Sequence, residues 1–185
     1  MTQSLNINVV VQGASGKMGS EVLNALCHAS DMEPAGAVFR SATEEFLPLP
    51  DGSGLVPLSS NLDHILNKTK PNVVVDFTDS NGALEAARFC ANRGIHLVTG
   101  STGLDQQALT EIENLANGNH IGVLIAPNFA LGAILLTHLA RIASQHFEYI
   151  EISEAHHEGK LDSPSGTALS LAQAISEARK TQINR

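Results

Sequence analysis

Between Glu154 and Ala168 the chain reads EAHHEGKLDSPSGTA, which places two histidines, a lysine and a Ser-Gly-Thr turn ahead of a helical pattern. Imidazole titrates near neutrality, with an unperturbed pKa of about 6.5, so a histidine here can hold a proton and release it to a reacting atom. In an extended segment successive side chains point to opposite faces, so His156 and His157 are expected to take different roles, one acting on the substrate and the other anchoring it. Lys160 adds a fixed positive charge. Pro164 shapes the approach to the helix, Ser165 or Thr167 caps it, and the N–H groups around Gly166 and Thr167 form an anion pocket. A proton donor, a cation and a helix start together suit a small substrate whose carboxylates are gripped while it gains a proton. The plainer reading is surface histidines beside ordinary capping residues. A metal centre would need further ligands at a recognisable spacing, and the neighbouring sequence supplies none, so no metal is expected.

A second cluster lies near the amino end. GASGKMG, residues 13–19, follows the β-branched run NINVVVQ and precedes an amphipathic pattern, the strand–turn–helix setting in which a glycine turn binds a dinucleotide. Gly13 permits the tight turn, Gly16 lets a pyrophosphate approach the backbone, and Gly19 lets helix and strand pack closely. Such turns also join strands to helices with no ligand, and the spacing is GxxGxxG rather than GxGxxG. At the end of the next strand, where an acid would hold the ribose 2′-hydroxyl, stand Phe39 and Arg40. A guanidinium there, helped by Lys17, could pair with a 2′-phosphate, which favours NADPH and leaves NADH as the second cofactor. GSTG at 100–103 and APNFALG at 126–132 each follow a strand at its carboxyl end, the side on which open α/β sheets bind ligands. Asn128 and Phe129 there offer an amide and a ring to a nicotinamide.

The elements that must carry these groups alternate. Apolar strands are expected at 6–12, 34–39, 72–77, 95–100 and 121–126. Helices are expected after Gly16, with Met18, Val22, Leu23, Leu26 and Cys27 on one face, and at 61–67, 81–92, 105–117, 131–145 and 168–180. The stretch from Ser41 to Ser60, rich in Pro, Gly and Ser, reads as a loop. FEYIEISEAHH at 147–157 mixes polar and apolar residues and reads as an antiparallel or edge strand. Continuous apolar strands between amphipathic helices imply an α/β fold, a Rossmann-like doubly wound parallel sheet. The expected organisation is a dinucleotide-binding domain at 1–130 and, at 131–185, the start of a truncated α+β substrate domain.

Composition excludes several classes. With 43% hydrophobic and 16% charged residues over 185 positions the chain is globular in type. Its net charge of −8 opposes binding to nucleic acid over long range, although local donors can still hold a small anion. No run is long and apolar enough for a membrane span, and the amino end lacks the features of a signal peptide, so a cytoplasmic protein is expected. Cys27 and Cys90 fall in helical patterns and are expected as free thiols.

These residues carry a resemblance. VVVQGASGKMG, VVVDFT, VTGSTG, APNFALG and above all EAHHEGKLDSPSGTA, in that order, resemble the dihydrodipicolinate reductase family over about residues 7–180. The resemblance implies NAD(P)H-dependent reduction of the cyclic dicarboxylate 4-hydroxy-tetrahydrodipicolinate in lysine and diaminopimelate biosynthesis. It assigns the dinucleotide to Gly13, Ala14, Ser15, Gly16, Lys17 and Met18, to Arg40, to Gly100, Ser101 and Thr102, and to Ala126, Pro127, Asn128 and Phe129. His156 would be the proton donor and Lys160 the second catalytic group, with His157, Gly166 and Thr167 on the substrate carboxylates. Phe39 departs from the family's usual acid, which weakens the NADH half of its dual cofactor use. Family members also continue beyond this sequence with strands that complete the second domain and form a homotetramer interface, so the assembly of this chain is left open. The competing expectation is a truncated dinucleotide-binding remnant without turnover. A dinucleotide-sensing interaction protein would not explain why the whole HHEGKLDSPSGT set is retained.

Overall fold

The computed structural model describes residues 6–126, 128–156 and 164–183, with no account of the side chains from 180 onward. Its contacts divide the chain into two units, 1–126 and 127–185.

In the first unit, chain order is β1 (Ile7–Gln12), α1 (Lys17–Cys27), β2 (Met32–Val38), β3 (Phe46–Pro48), β4 (Leu55–Ser59), α2 (Leu62–Thr69), β5 (Val73–Asp76), α3 (Ser80–Ala91), β6 (His96–Thr99), α4 (Gln106–Asn119) and β7 (Val123–Ile125). The seven strands lie in the order β3-β4-β2-β1-β5-β6-β7. All neighbours are parallel except β3 and β4. The chain leaves β1 toward β2 on one side and returns through α2 to β5 on the other. The carboxyl ends of β1 and β5 therefore flank a topological switch point, where open α/β sheets bind ligands.

Both faces of the sheet are covered. Val9 and Val11 pack with Leu23 and Leu26 of α1, while Val10 and Val74 face Ile65 and Leu66 of α2 and Ala86, Ala87 and Cys90 of α3. Residues on one strand thus serve opposite cores, which explains why β1 reads as an uninterrupted apolar run. The small side chains of α3 let that helix lie close to the sheet. Asn61, Asp79 and Asp105 cap α2, α3 and α4 by accepting the N–H of His64, Gly82 and Ala108.

Three expectations are corrected. The stretch 41–60 is not a plain loop: β3 and β4 form a hairpin that extends the sheet, hidden by Pro48 on the edge strand β3 and by Pro57, which pairs with Phe46 just before β4 joins β2 at Leu58. On α1, Met18 is exposed and Gly19 takes the inward position, because only a hydrogen fits beside the carbonyl of Gly13. Residues 147–156 form no strand. A strand needs a neighbouring ladder, and here the carbonyls of Phe147 and Glu148 instead accept hydrogen bonds from Arg179 Nη2 at 2.9 and 2.7 Å. Residue 157 lies outside the described residues.

The second unit contains α5 (Leu131–Ala143) and α6 (Gly166–Ile183), which pack against each other. Ile175 and Ala178 of α6 are buried, whereas none of α5 is, and Leu131, Leu135, Leu136 and Leu139 stay more than half exposed. Among the described residues no helix is long and apolar enough to cross a membrane.

Candidate dinucleotide site and proton-donor segment

The glycine turn is sterically fixed. Gly13 has φ of +81°, and a Cβ on it would sit 2.4 Å from the carbonyl oxygen of Phe77; one on Gly19 would sit 2.2 Å from the carbonyl oxygen of Gly13. The N–H groups of Gly13 and Ala14 both donate to the carbonyl of Val38, at 2.8 and 3.1 Å. Those two amides are therefore engaged in tying the turn to β2. The donors that remain for an anion are in the first turn of α1. Gly16 is its N-cap and brings no side chain, no acid lies in that turn, and the first helical bond runs from Ser20 N–H to the Gly16 carbonyl. The N–H groups of Lys17 and Met18 stand ahead of it, at the positive end of the helix dipole. Ser15, Gly16, Lys17 and Met18 are all exposed.

Beside the turn lies a cavity of about 380 Å³ whose lining includes Gln12, Gly13, Phe39, Arg40, Thr78 and Gly82. Gln12 is buried at the end of β1, and its Oε1 has no hydrogen-bond partner among the described residues. A buried acceptor without a donor costs free energy unless a ligand or water supplies one. An orphaned acceptor, open helix amides and a turn that tolerates no Cβ together fit the adenosine and pyrophosphate of a dinucleotide. Arg40, just past β2, donates from Nη2 to Oδ2 of Asp79 at 2.5 Å. The N–H of Gly82 holds the Asp79 carboxyl below the usual carboxylate range against the opposing effect of burial, with lesser help from the Arg40 guanidinium.

The loops after β5 and β6 are joined from beneath. Asp76, fully buried, accepts hydroxyl hydrogen bonds from Thr78 (2.6 Å), Thr99 (2.7 Å) and Ser101 (2.7 Å). Because a carboxylate only accepts, those hydroxyls donate to it and keep their lone pairs for backbone N–H groups: Ser101 N–H bonds to Thr99 Oγ1 and Thr78 N–H to Ser101 Oγ. Ser101 is accordingly buried, with Gly100 half-buried and Thr102 exposed beside it. Ala126 is tied to the same edge by its N–H to the Thr99 carbonyl at 2.9 Å.

Asn128 and Phe129 belong to the second unit. Asn128 Oδ1 accepts the Ala130 N–H at the start of α5, and Phe129 is partly exposed. His156 is exposed, with its Nδ1 3.8 Å from a carboxylate oxygen of Glu154. Glu154 reaches the start of α6, where it accepts both the N–H of Ser165, at 2.8 Å, and its hydroxyl. Ser165 in turn accepts the Ala168 N–H, so of the two candidates Ser165 is the cap, and α6 begins at Gly166 with Thr167 exposed beside it. Pro127, His157 and Lys160 lie outside the described residues. Asp76, Asp79 and Glu154 were missed by sequence reasoning. The signals were an acid closing an apolar strand in VVVDF, an acid before a helix in DSN, and a Glu two residues ahead of the histidine pair.

A parallel sheet with a switch point, a glycine turn at its centre and a fitting cavity beside it define a Rossmann-type NAD(P)-binding oxidoreductase. The sequence profile described as dihydrodipicolinate reductase, N-terminus, matches residues 7–129, and that described as dihydrodipicolinate reductase, C-terminus, matches residues 132–185. The chain belongs to the dihydrodipicolinate reductase family, whose members are NAD(P)H-dependent oxidoreductases. It is 50% identical over 179 residues to the 4-hydroxy-tetrahydrodipicolinate reductase of Dehalococcoides mccartyi, covering 97% of this chain and 68% of that protein. The enzyme of the same name from Syntrophomonas wolfei is 39% identical over 92% of this chain and 65% of its own length. Among solved structures, the dipicolinate-bound dihydrodipicolinate reductase from Paenisporosarcina sp. TG-14 superposes with a TM-score of 0.78 and 34% identity, over 94% of this chain and 67% of that one. Homoserine dehydrogenase from S. aureus, at 18% identity and a TM-score of 0.54 over 65% of this chain and 32% of that one, shares the fold alone.

Proposed function

We propose that the chain reduces 4-hydroxy-tetrahydrodipicolinate to tetrahydrodipicolinate in the cytoplasm, as a step of lysine and diaminopimelate biosynthesis, with NADPH preferred and NADH accepted. The observation that carries this reading is that one chain holds both parts the reaction needs: a sterically fixed glycine turn beside a cavity with an orphaned acceptor, and the complete EAHHEGKLDSPSGTA segment. That the Paenisporosarcina relative binds dipicolinate, a planar ring with two carboxylates, supports the substrate class.

The open amides of the α1 start would take the pyrophosphate, and Arg40 the 2′-phosphate. Gly100, Ser101, Thr102 and the segment from Ala126 to Phe129 would line the nicotinamide end. Loss of the 4-hydroxyl as water would leave the ring with a further double bond, to which the cofactor, when bound, would supply a hydride. His156 would give its proton to the ring carbon beside the one that receives the hydride, and Lys160 would hold positive charge against the anion that forms. His157 and the N–H groups at Gly166 and Thr167 would grip the carboxylates. Ser165 and Glu154 set where that helix start lies. Oxidation of NADPH, followed at its absorbance band with freshly generated substrate, tests the proposal. Turnover is expected, while cofactor binding with no oxidation would leave only a dinucleotide-binding remnant.

A further inference from the structure

We infer that Asp79 tempers the NADPH preference that Arg40 gives this chain, restoring from the β5–α3 loop the ribose-facing acid that Phe39 removes from the end of β2. The inference rests on the proposed role of Arg40 toward the 2′-phosphate.

Arg40 and Asp79 come from loops on opposite sides of β1, since β2 and β5 are its two neighbours, and their ion pair bridges the loops around the glycine turn. Asp79 is held in place from behind: its Oδ1 caps α3 through the Gly82 N–H at 2.9 Å, leaving Oδ2 for Arg40. The contact uses Nη2 alone, so single N–H donors on Nε and on Nη1 are left to meet a phosphate. A 2′-phosphate arriving there meets the cation and, next to it, a fixed carboxylate. A neutral 2′-hydroxyl meets that carboxylate as a hydrogen-bond acceptor. Asp79 therefore works against NADPH and for NADH, and counterbalances Arg40. Both side chains are substantially exposed, at 81% and 48%, which makes the effect modest and sensitive to salt.

The test is the dissociation constants of NADPH and NADH, measured by fluorescence titration for the full chain and for Asp79→Asn, Asp79→Ser and Arg40→Ala. Asparagine and serine both keep the N-cap, so α3 is retained in either variant. Removing one charge beside a dianion at a half-exposed site is expected to tighten NADPH by about three- to tenfold. NADH should weaken or stay unchanged, and the gain for NADPH should shrink at high salt. An unchanged NADPH-to-NADH ratio in both Asp79 variants, with Arg40→Ala still weakening NADPH, would overturn the role of Asp79 alone. Undiminished NADPH affinity in Arg40→Ala would overturn the assignment of Arg40 and this inference with it.

Discussion

Ser101 Oγ donates to Asp76 Oδ2 at 2.7 Å and accepts the Thr78 N–H at 2.9 Å, so a single hydroxyl binds the loop after β6 to the loop after β5 through a buried carboxylate. Replacing Asp76 by Ala strands the buried hydroxyls of Thr99 and Ser101, while that of the exposed Thr78 can turn to water. Each buried unsatisfied group costs about 1–3 kcal/mol, and partial rearrangement should leave a net loss of about 2–4 kcal/mol. Urea denaturation should show a lower midpoint with an unchanged slope, and NADPH affinity should fall with it.

Gly13 and Gly52 both have positive φ, +81° and +74°, but only Gly13 is crowded, by the Phe77 carbonyl; nothing lies within 4 Å of a Cβ at Gly52. Gly52→Ala should cost roughly 1–2 kcal/mol for the left-handed backbone alone. Gly13→Ala should cost clearly more and also displace the turn. Thermal melts of the two variants, paired with NADPH titrations, separate strain from crowding: only the Gly13 variant should lose cofactor binding.

His156→Ala removes the proposed acid. Turnover should fall by about 10² to 10⁴, while the dissociation constant for NADPH is unchanged. A smaller loss in single-turnover measurements would move the proton donor to another group.

Cys90 is fully buried in α3, and burial pushes its thiol up to about 12. The neutral form is favoured in the folded state. Its contribution to stability is therefore complete below the unfolded value of 9.0 and is lost as pH rises through about 12. Cys27 is raised as well, first by burial and then by the Asp51 carboxylate. At pH 8 a disulfide exchange reagent should modify no more than one thiol per native chain, with Cys90 reacting only after unfolding.

The alternation of strand and helix was legible because a parallel sheet covered on both faces leaves each strand uniformly apolar, as in β1 and β5. β3 and β4 were not, since Pro48 and Pro57 break the pattern that marks a strand. The segment 147–156 failed in the opposite sense: its alternation is real, but the Arg179 guanidinium takes the carbonyls of Phe147 and Glu148. In the candidate site, the tight backbone of the glycine turn was legible, because the need for glycine at 13 and 19 comes from local spacing. Asp76, Asp79 and Glu154 were not, because their partners lie 25, 39 and 11 positions away and only the folded chain brings them together.

The outermost strands of the sheet, β3 and β7, are three residues each, and β3 runs against its neighbour and ends in proline. Such borders expose too short a row of unpaired amides and carbonyls to template a further strand from another molecule. A folding chain with a nearly all-parallel sheet assembles slowly and is vulnerable to mispairing while it does so. Blunted borders give the finished layer a built-in guard against fibrous aggregation at the concentrations a biosynthetic enzyme reaches.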